Sequence, residues 1–110
     1  MNRGETQLRK GVVELAVLAS IGREETYGYR IVERLSKLDG LQLTESTVYP
    51  VLTRLARDGF LAVRIDVSPS GPTRRYYRLT TEGKRRLRQL AESWRTVSQS
   101  LSALIEGAQT

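Results

Sequence analysis

The sequence predicts a mostly α-helical fold with a small β-hairpin, and three observations predict it. Apolar residues recur at spacings of three and four in four separate segments, which is the period of amphipathic helices. Between residues 61 and 79 the period changes to two, which is the pattern of strands. The length of 110 residues suits one domain with a modest core. We therefore expect three helices, a hairpin and a final helix, in that order.

The composition narrows the classes of function. Lys and Arg total 18 against 12 Asp and Glu, a net charge of +6 that favours a polyanionic partner. This charge does not by itself separate DNA from RNA or from an anionic membrane. The chain has neither cysteine nor histidine, which excludes disulfides and thiolate zinc sites and removes the commonest general base. We expect no enzymatic activity, no cofactor and no metal site.

The first helix is predicted from Gln7 to Ile21 and is apolar on nearly every side. Such a helix is buried on more than one side, here by its own domain and by a second subunit. The apolar stretch from Gly11 to Gly22 contains Glu14 and is shorter than the roughly 20 residues that cross a bilayer. We expect no membrane contact and a cytoplasmic protein.

A second helix is predicted from Tyr27 to about Leu38, with Thr26 as its N-cap. A short link at residues 41–43, with room for one rung of strand, leads to the third helix. Two helices joined by a brief link form a helix-turn-helix. The inner face of the second helix is expected to comprise Tyr27, Ile31, Leu35 and Leu38.

The third helix, predicted from Thr44 to Gly59, carries the strongest functional signal. Thr44 suits an N-cap and Gly59 a left-handed C-terminal position. Pro50 lacks a backbone N–H, so we expect an irregular first turn or a helix that begins nearer Thr47. The segment alone is compatible with an ordinary half-exposed helix, but hydroxyls and arginines on its outer side suit DNA grooves and phosphates. That outer side carries Ser46, Thr47, Tyr49, Pro50, Thr53, Arg54 and Arg57; the apolar side carries Val48, Val51, Leu52 and Leu55.

A β-hairpin is predicted next, and it completes a winged helix-turn-helix domain over residues 7–80. Its first strand alternates apolar and polar residues and is expected to be half-buried, whereas residues 68–72 form the tip and residues 74–79 the second strand. Arg74 and Arg75 follow the tip, where they can reach an adjacent minor groove or its phosphates. Simple solvation of the tip is the alternative. The expected buried residues of the first strand are Leu61, Val63, Ile65 and Val67.

A final helix, capped by Thr80, is predicted over residues 81–107 as a dimerisation helix. Its apolar residues alternate at spacings of three and four and form a seam. Because three helices and a hairpin already close a core, we expect the seam to pair with a second copy of the chain in a symmetric homodimer. The seam comprises Leu87, Leu90, Trp94, Val97, Leu101 and Leu104.

Three stretches resemble the PadR-type transcriptional regulators of bacteria. They are YGYRI at residues 27–31, LTESTVYPVLTRLARDGFL at 43–61 and GPTRRYYRLTTEGKRRL at 71–87, in the order and spacing of that family. The single C-terminal helix, with AESWRTV at 91–97, is similar to the short, multidrug-sensing-like branch.

The resemblance implies a homodimeric repressor that binds a pseudo-palindromic double-stranded DNA operator and is released by a small molecule. It implies that Trp94 stacks on a flat aromatic effector at the dimer interface, although a packing anchor in a dry interface is an equal alternative. Glu92 is the one acidic residue near the seam, which argues against cationic drugs. The implied DNA contacts are Ser46, Thr47, Tyr49, Thr53 and Arg54 on the third helix, and Arg74 and Arg75 on the wing. The expected ligand site comprises Trp94, Leu8, Val12, Leu15, Ala91 and Val97.

Two other functions remain open. A winged-helix RNA-binding module is one, but single-strand readers usually present several aromatics on a sheet, and here only Tyr76 and Tyr77 qualify. An adaptor that binds only proteins is the other, and the excess positive charge argues against it. Competition between duplex and single-stranded nucleic acid separates the first from DNA binding. Failure to bind any duplex at low salt would support the second.

Overall fold

A computed structural model describes residues 3–41, 43–67 and 69–109, with side chains described from Lys10 onward. The predicted fold class is confirmed: the described residues form a mostly helical winged helix-turn-helix with a small antiparallel sheet. The elements in chain order are α1 (Arg3–Ile21), β1 (Thr26–Tyr27), α2 (Gly28–Ser36), α3 (Glu45–Arg57), β2 (Leu61–Asp66), β3 (Arg74–Leu79) and α4 (Thr81–Gln109).

The core lies where α1, α2 and α3 meet the inner side of the sheet. Each helix contributes its apolar stripe, and β2 and β3 add one end of the hairpin through Leu61, Tyr77 and Leu79. This core fixes which side of α3 faces outward. The largest fully buried side chains are Leu18, Ile31, Leu52, Leu55, Val17 and Val48.

The sheet contains a third strand, β1, that the sequence did not predict. The order is β1-β3-β2, and Thr26 and Tyr27 of β1 pair with Tyr77 and Tyr76 of β3. The prediction that Thr26 caps the second helix is wrong, because Tyr27 holds that position and the buried Thr26 hydroxyl has no hydrogen-bond partner among the described residues. A two-residue strand has no period of its own, and it forms only because β3 supplies the partner.

The rung of strand expected at 41–43 is not seen in its described residues. Leu41 lies in a turn and Leu43 is buried outside any strand, while residue 42 is outside the described residues. The second helix also ends earlier than predicted, at Ser36, and Leu38 is exposed. Val32, which was not predicted on the inner face, is buried in the core.

Helix α3 begins regularly despite Pro50. The amides of Thr47 and Val48 donate to the Thr44 carbonyl at 3.1 and 2.9 Å, so the expectation of an irregular first turn is wrong. Pro50 lies inside the helix on its exposed side, where one missing hydrogen bond is tolerated. Thr44 holds the N-cap position without a side-chain cap bond; its hydroxyl instead lies 2.9 Å from the Ser46 hydroxyl.

The hairpin projects beyond the core, which corrects the predicted burial of its first strand. Leu61 is buried as expected, but Val63, Ile65 and Val67 are 41%, 55% and 70% exposed. Alternation fixes which side chains share a face of the strand, but it does not guarantee that another element covers that face. The predicted second strand at 74–79 is confirmed.

Helix α4 is fastened to the end of α3 by its first turn. The predicted cap at Thr80 is confirmed, since its hydroxyl accepts from the Gly83 amide at 3.0 Å and donates to the Gly59 carbonyl at 2.7 Å. Gly59 has the expected left-handed backbone, with φ +87°. A Cβ at Gly83 would collide with the Phe60 carbonyl, so this close approach requires glycine. The 29-residue α4 continues along a molecule that measures 62 Å in its longest direction.

Candidate nucleic-acid interface

The outward side of α3 is polar and accessible. Val48, Leu52 and Leu55 anchor the opposite side in the core. The predicted contact residues Ser46, Tyr49, Thr53 and Arg57 are exposed, and Thr47 and Arg54 are half-buried. The structure thus brings all six predicted residues of α3 to an accessible surface.

Two arginines near the end of α3 share a single carboxylate. Arg54 Nη1 lies 3.9 Å from one oxygen of Asp58, and Arg57 Nε lies 3.4 Å from the other. Exposed pairs of this kind are worth only about 0–1 kcal/mol, so a phosphate can replace the carboxylate. Thr53 Oγ1 donates to the Tyr49 carbonyl at 3.1 Å, which leaves its methyl group and an acceptor site for a base edge.

A groove of about 670 Å³ lies between α3 and the hairpin. Four of the five tyrosines of the chain line it, together with both predicted wing arginines. Ring faces, hydroxyls and guanidinium groups are the chemistry that contacts bases, sugars and phosphates. The lining residues are Tyr27, Gly28, Tyr29, Tyr49, Thr53, Pro72, Thr73, Arg74, Arg75 and Tyr77.

Tyr49 closes the floor of this groove against the start of α2. A Cβ at Gly28 would lie 2.8 Å from a ring carbon of Tyr49, so glycine allows the ring to pack on the backbone. Burial raises the pKa of the Tyr49 hydroxyl, with smaller contributions from Glu45 and Tyr77. The hydroxyl can both donate and accept a hydrogen bond.

The two wing arginines are exposed and belong to opposite faces of β3. Arg75 is on the face of buried Tyr77. Arg74 is on the other face, with its guanidinium carbon 4.7 Å from the centre of the Tyr27 ring. Among the described residues, no carboxylate forms an ion pair with either arginine, so both charges are available to phosphates.

The charge of Arg64, on the first strand of the hairpin, is neutralised by a carboxylate. Arg64 on β2 donates three hydrogen bonds of 2.7–3.2 Å to the Glu25 carboxylate, and the guanidinium also stacks 4.5 Å from the Tyr76 ring centre. The hydrogen bond from Arg64 is the main cause that lowers the pKa of Glu25. Sequence reasoning missed this pair because its members are 39 residues apart and follow no local pattern.

Tyr27, Gly28 and Tyr29 were also missed as site residues. They belong to the YGYRI stretch at 27–31, which carried part of the family resemblance. Tyr27 was predicted on the inner face of the second helix, but it lies half-buried in β1 and lines the groove, so that prediction is wrong. Their place in the groove depends on β1, whose pairing with β3 brings the start of α2 beside the wing.

A second groove, of about 620 Å³ and almost entirely apolar, lies between α1 and α4. Four of the predicted ligand residues line it: Val12, Leu15, Trp94 and Val97. Ala91 is half-buried outside this lining, and the Leu8 side chain lies outside the described residues. The remaining lining residues are Gly11, Leu90, Ser93, Ser98, Leu101 and Ser102.

The predicted seam on α4 divides into two parts. Leu87 and Leu90 are partly buried and pack against the core. Beyond them the seam is exposed in the isolated chain, from 48% for Trp94 to 69% for Leu104, with Val97 and Leu101 between these values. The outer half of α4 therefore presents a continuous apolar stripe.

Within the part of the chain that the structure describes, no three acidic side chains gather where they could hold a metal ion. No described helix is both long enough and apolar enough to cross a membrane.

Comparison with known proteins gives a consistent result. The model of the "Transcriptional regulator PadR-like family" matches residues 17–89. A transcriptional regulator of Mycobacterium tuberculosis is 33% identical over 92 residues, which cover 77% of this chain and 84% of that protein. The structure of a PadR-like transcription factor from Bacteroides fragilis superposes with a TM-score of 0.78 at 32% identity, covering 94% of this chain and 99% of that one. A PadR-like regulator from Bacillus cereus gives 0.78 at 33% identity, with coverages of 90% and 96%.

Proposed function

This chain belongs to the PadR-like family of transcriptional regulators, and from that premise we propose that it is a homodimeric repressor of a pseudo-palindromic DNA operator. Residues 7–80 form the DNA-binding domain and residues 81–107 the dimerisation helix. A small planar aromatic molecule releases the protein from DNA. Since a DNA-binding regulator acts where the DNA is, we place it in the cytoplasm.

One observation carries the DNA-binding proposal. Tyr49 and Thr53 of α3 line one groove together with Arg74 and Arg75 of the wing, while the apolar side of α3 is buried in the core. The other polar residues of α3 are accessible outside this groove. In this arrangement α3 enters the major groove of the duplex, and the hydroxyls and arginines read base edges. The wing arginines contact phosphates or the adjacent minor groove. The proposed contacts are Ser46, Thr47, Tyr49, Thr53, Arg54, Arg57, Arg74 and Arg75.

The exposed stripe on α4 supports the proposed homodimer. Monomeric proteins rarely leave a continuous apolar stripe of this length in water. A second copy offers the same stripe, so a two-fold axis that relates the two stripes buries both at once. The proposed interface comprises Leu87, Leu90, Trp94, Val97, Leu101 and Leu104. Two copies of α3 related by this axis would meet successive major grooves, about 34 Å apart.

The groove beside Trp94 supports the proposed effector site. Its described lining carries no charged side chain, so the effector that suits it is neutral, flat and apolar. In the dimer the groove of each subunit is closed by the other subunit, and the indole stacks on the ligand. A ligand that binds best at one spacing of the two subunits would shift the recognition helices away from the spacing of the operator. Of the predicted ligand site, Trp94, Val12, Leu15 and Val97 line this groove, and Leu8 and Ala91 complete the proposed site.

A mobility-shift assay with DNA from upstream of this protein's own gene tests the DNA-binding function. We expect a discrete complex that survives excess random duplex and excess single-stranded RNA. Loss of the complex to random duplex would contradict sequence-specific binding, and loss to RNA alone would favour an RNA-binding module. No complex with any duplex at low salt would indicate a protein-binding adaptor.

A further inference from the structure

Five side chains form one continuous chain of contacts on the outer face of the sheet. Glu25 binds Arg64 at 2.7 Å, and Arg64 stacks on the Tyr76 ring at 4.5 Å. The Tyr76 and Tyr27 rings meet edge to face with centres 5.8 Å apart, and Arg74 lies 4.7 Å over Tyr27. These contacts thus run from the Glu25–Arg64 ion pair to Arg74, which has no ion-pair partner among the described residues.

We propose that Tyr27 is a positioning residue that holds the Arg74 guanidinium ready for a DNA phosphate before DNA arrives. This inference rests on the proposed DNA-binding function and assigns Tyr27 a role that acts through Arg74. The outer-face contacts among Glu25, Arg64 and Tyr76 form the fixed support for the Tyr27 ring.

Stacking on Tyr27 leaves Arg74 able to bind phosphate. The guanidinium carbon lies 4.7 Å over the ring centre. A ring covers at most one face of a guanidinium, whose N–H donors all lie in the plane of the group. A free arginine loses much side-chain entropy when it binds, and a guanidinium that is already held in place loses less. Arg74 therefore gains affinity for phosphate from the ring beneath it.

The Tyr27 ring is itself held in place from three directions. Its backbone pairs with Tyr76 in the sheet, its residue is the N-cap of α2, and its ring makes a T-shaped contact with the Tyr76 ring. The same residue lines the groove that faces α3 together with Arg74. The ring thus fixes Arg74 relative to the recognition helix and not only relative to the wing.

A double-mutant cycle tests this role on the full chain, using a random 20-base-pair duplex and the preferred operator. Tyr27→Leu keeps apolar bulk but removes the ring, and we expect it to weaken binding about two- to five-fold, the effect of an exposed cation–π contact. In an Arg74→Ala background the same change should have no further effect. Tyr27→Phe keeps the ring and should bind like the unmodified protein. Arg78→Ala, on the same face of β3, is the matched control, in which Tyr27→Leu should keep its full effect.

A second readout needs no DNA. In the free protein the Cδ proton resonances of Arg74 should be shifted upfield by the ring current, and Tyr27→Leu should abolish that shift. The positioning role would be overturned if Tyr27→Leu weakened DNA binding equally in the unmodified protein and in Arg74→Ala. An unchanged Cδ proton shift in Tyr27→Leu would overturn it as well, even though the protein binds DNA. Absence of duplex binding by the unmodified protein would instead overturn the proposed function.

Discussion

The two grooves of this protein have nearly the same size and opposite chemistry. The groove between α3 and the wing, about 670 Å³, is lined by tyrosines, hydroxyls and arginines. The groove between α1 and α4, about 620 Å³, is lined by aliphatic side chains, serines and one indole. Volume alone therefore says little about function. The lining separates a surface suited to a hydrated polyanion from one suited to an apolar partner.

The grooves also differ in how they are completed. The α3–wing groove is built by one chain, because the core fixes α3 and the sheet fixes the wing. The α1–α4 groove continues into an exposed stripe that ends far from the core. The joint between them is the contact of Thr80 and Gly83 with residues 59–60, which connects the start of α4 to the end of α3. The position of α4 is thereby tied to the end of α3.

The largest effect is expected from a charge in the apolar stripe. Leu101→Asp places a carboxylate in the proposed interface. If the carboxylate stays ionised, its burial destabilises the dimer by roughly several kcal/mol. We expect a folded monomer whose operator affinity falls roughly 100-fold or more, because each chain keeps one half-site. Sedimentation velocity, circular dichroism and operator titration measure the three properties.

Gln99→Asp is the matched control for this charge, since Gln99 is exposed on the side of α4 away from Leu101. It should remain dimeric and bind the operator normally. A Leu101→Asp protein that remains a dimer would show that the stripe does not form the interface.

The next largest effect is expected to distinguish α3 from the wing in the proposed DNA interface. Arg54→Ala should weaken the preferred operator about 5- to 150-fold and random DNA much less, and Thr53→Ala should change the same preference. Arg74→Ala should weaken both duplexes alike and lower the log–log salt slope by about one unit. Fluorescence anisotropy at several salt concentrations provides both values. If all three variants lost the same affinity for both duplexes, α3 would not be the element that recognises the base sequence.

A smaller effect is expected in the apolar groove. Phenazine, a neutral planar compound, should quench the fluorescence of Trp94, the single tryptophan of the chain, and lower operator affinity. Trp94→Ala should weaken phenazine binding by about tenfold, from lost stacking and apolar contact, while Trp94→Phe should retain most of it. Calorimetry measures the variants. Unchanged binding in Trp94→Ala would leave Trp94 as a packing anchor.

The smallest effect concerns the wing support and depends on pH. The pKa of Glu25 lies below its ordinary value of 4.5 because Arg64 binds the carboxylate. A depressed carboxyl pKa stabilises the fold above the unfolded-state pKa, and this stabilisation is lost as the pH falls through the folded-state value. Glu25→Gln should therefore unfold at a slightly lower temperature than the unmodified protein at pH 7, and the gap should close below about pH 4.5. A gap that is constant from pH 7 to pH 3 would show that the ion pair does not stabilise the fold.

The sequence was sufficient for several features whose signal was local, although the local signals at Thr26 and Pro50 were misleading. The order of the helices, the hairpin, the Thr80 cap and the left-handed Gly59 all follow from short-range patterns. The outward side of α3 was also predictable, because helical period alone separates Val48 and Leu52 from the polar residues between them.

The remainder depends on contacts between distant parts of the chain. Thr26 and Tyr27 form a strand only beside β3, and Glu25 meets Arg64 only after the sheet has formed. Val63 and Ile65 share a face with Leu61, but no described element covers them there. Local periodicity contains no information on which elements meet, so it could predict neither the tyrosine-lined groove nor the support beneath Arg74.

The most direct test of the division between the two grooves is an amide chemical-shift map of the isotope-labelled protein titrated with its operator duplex. We expect the largest changes in α3, at the start of α2 and on the wing, and small changes along the outer half of α4. Changes concentrated around Trp94 and Leu101, with α3 and the wing unaffected, would contradict the assignment of the polar groove to DNA.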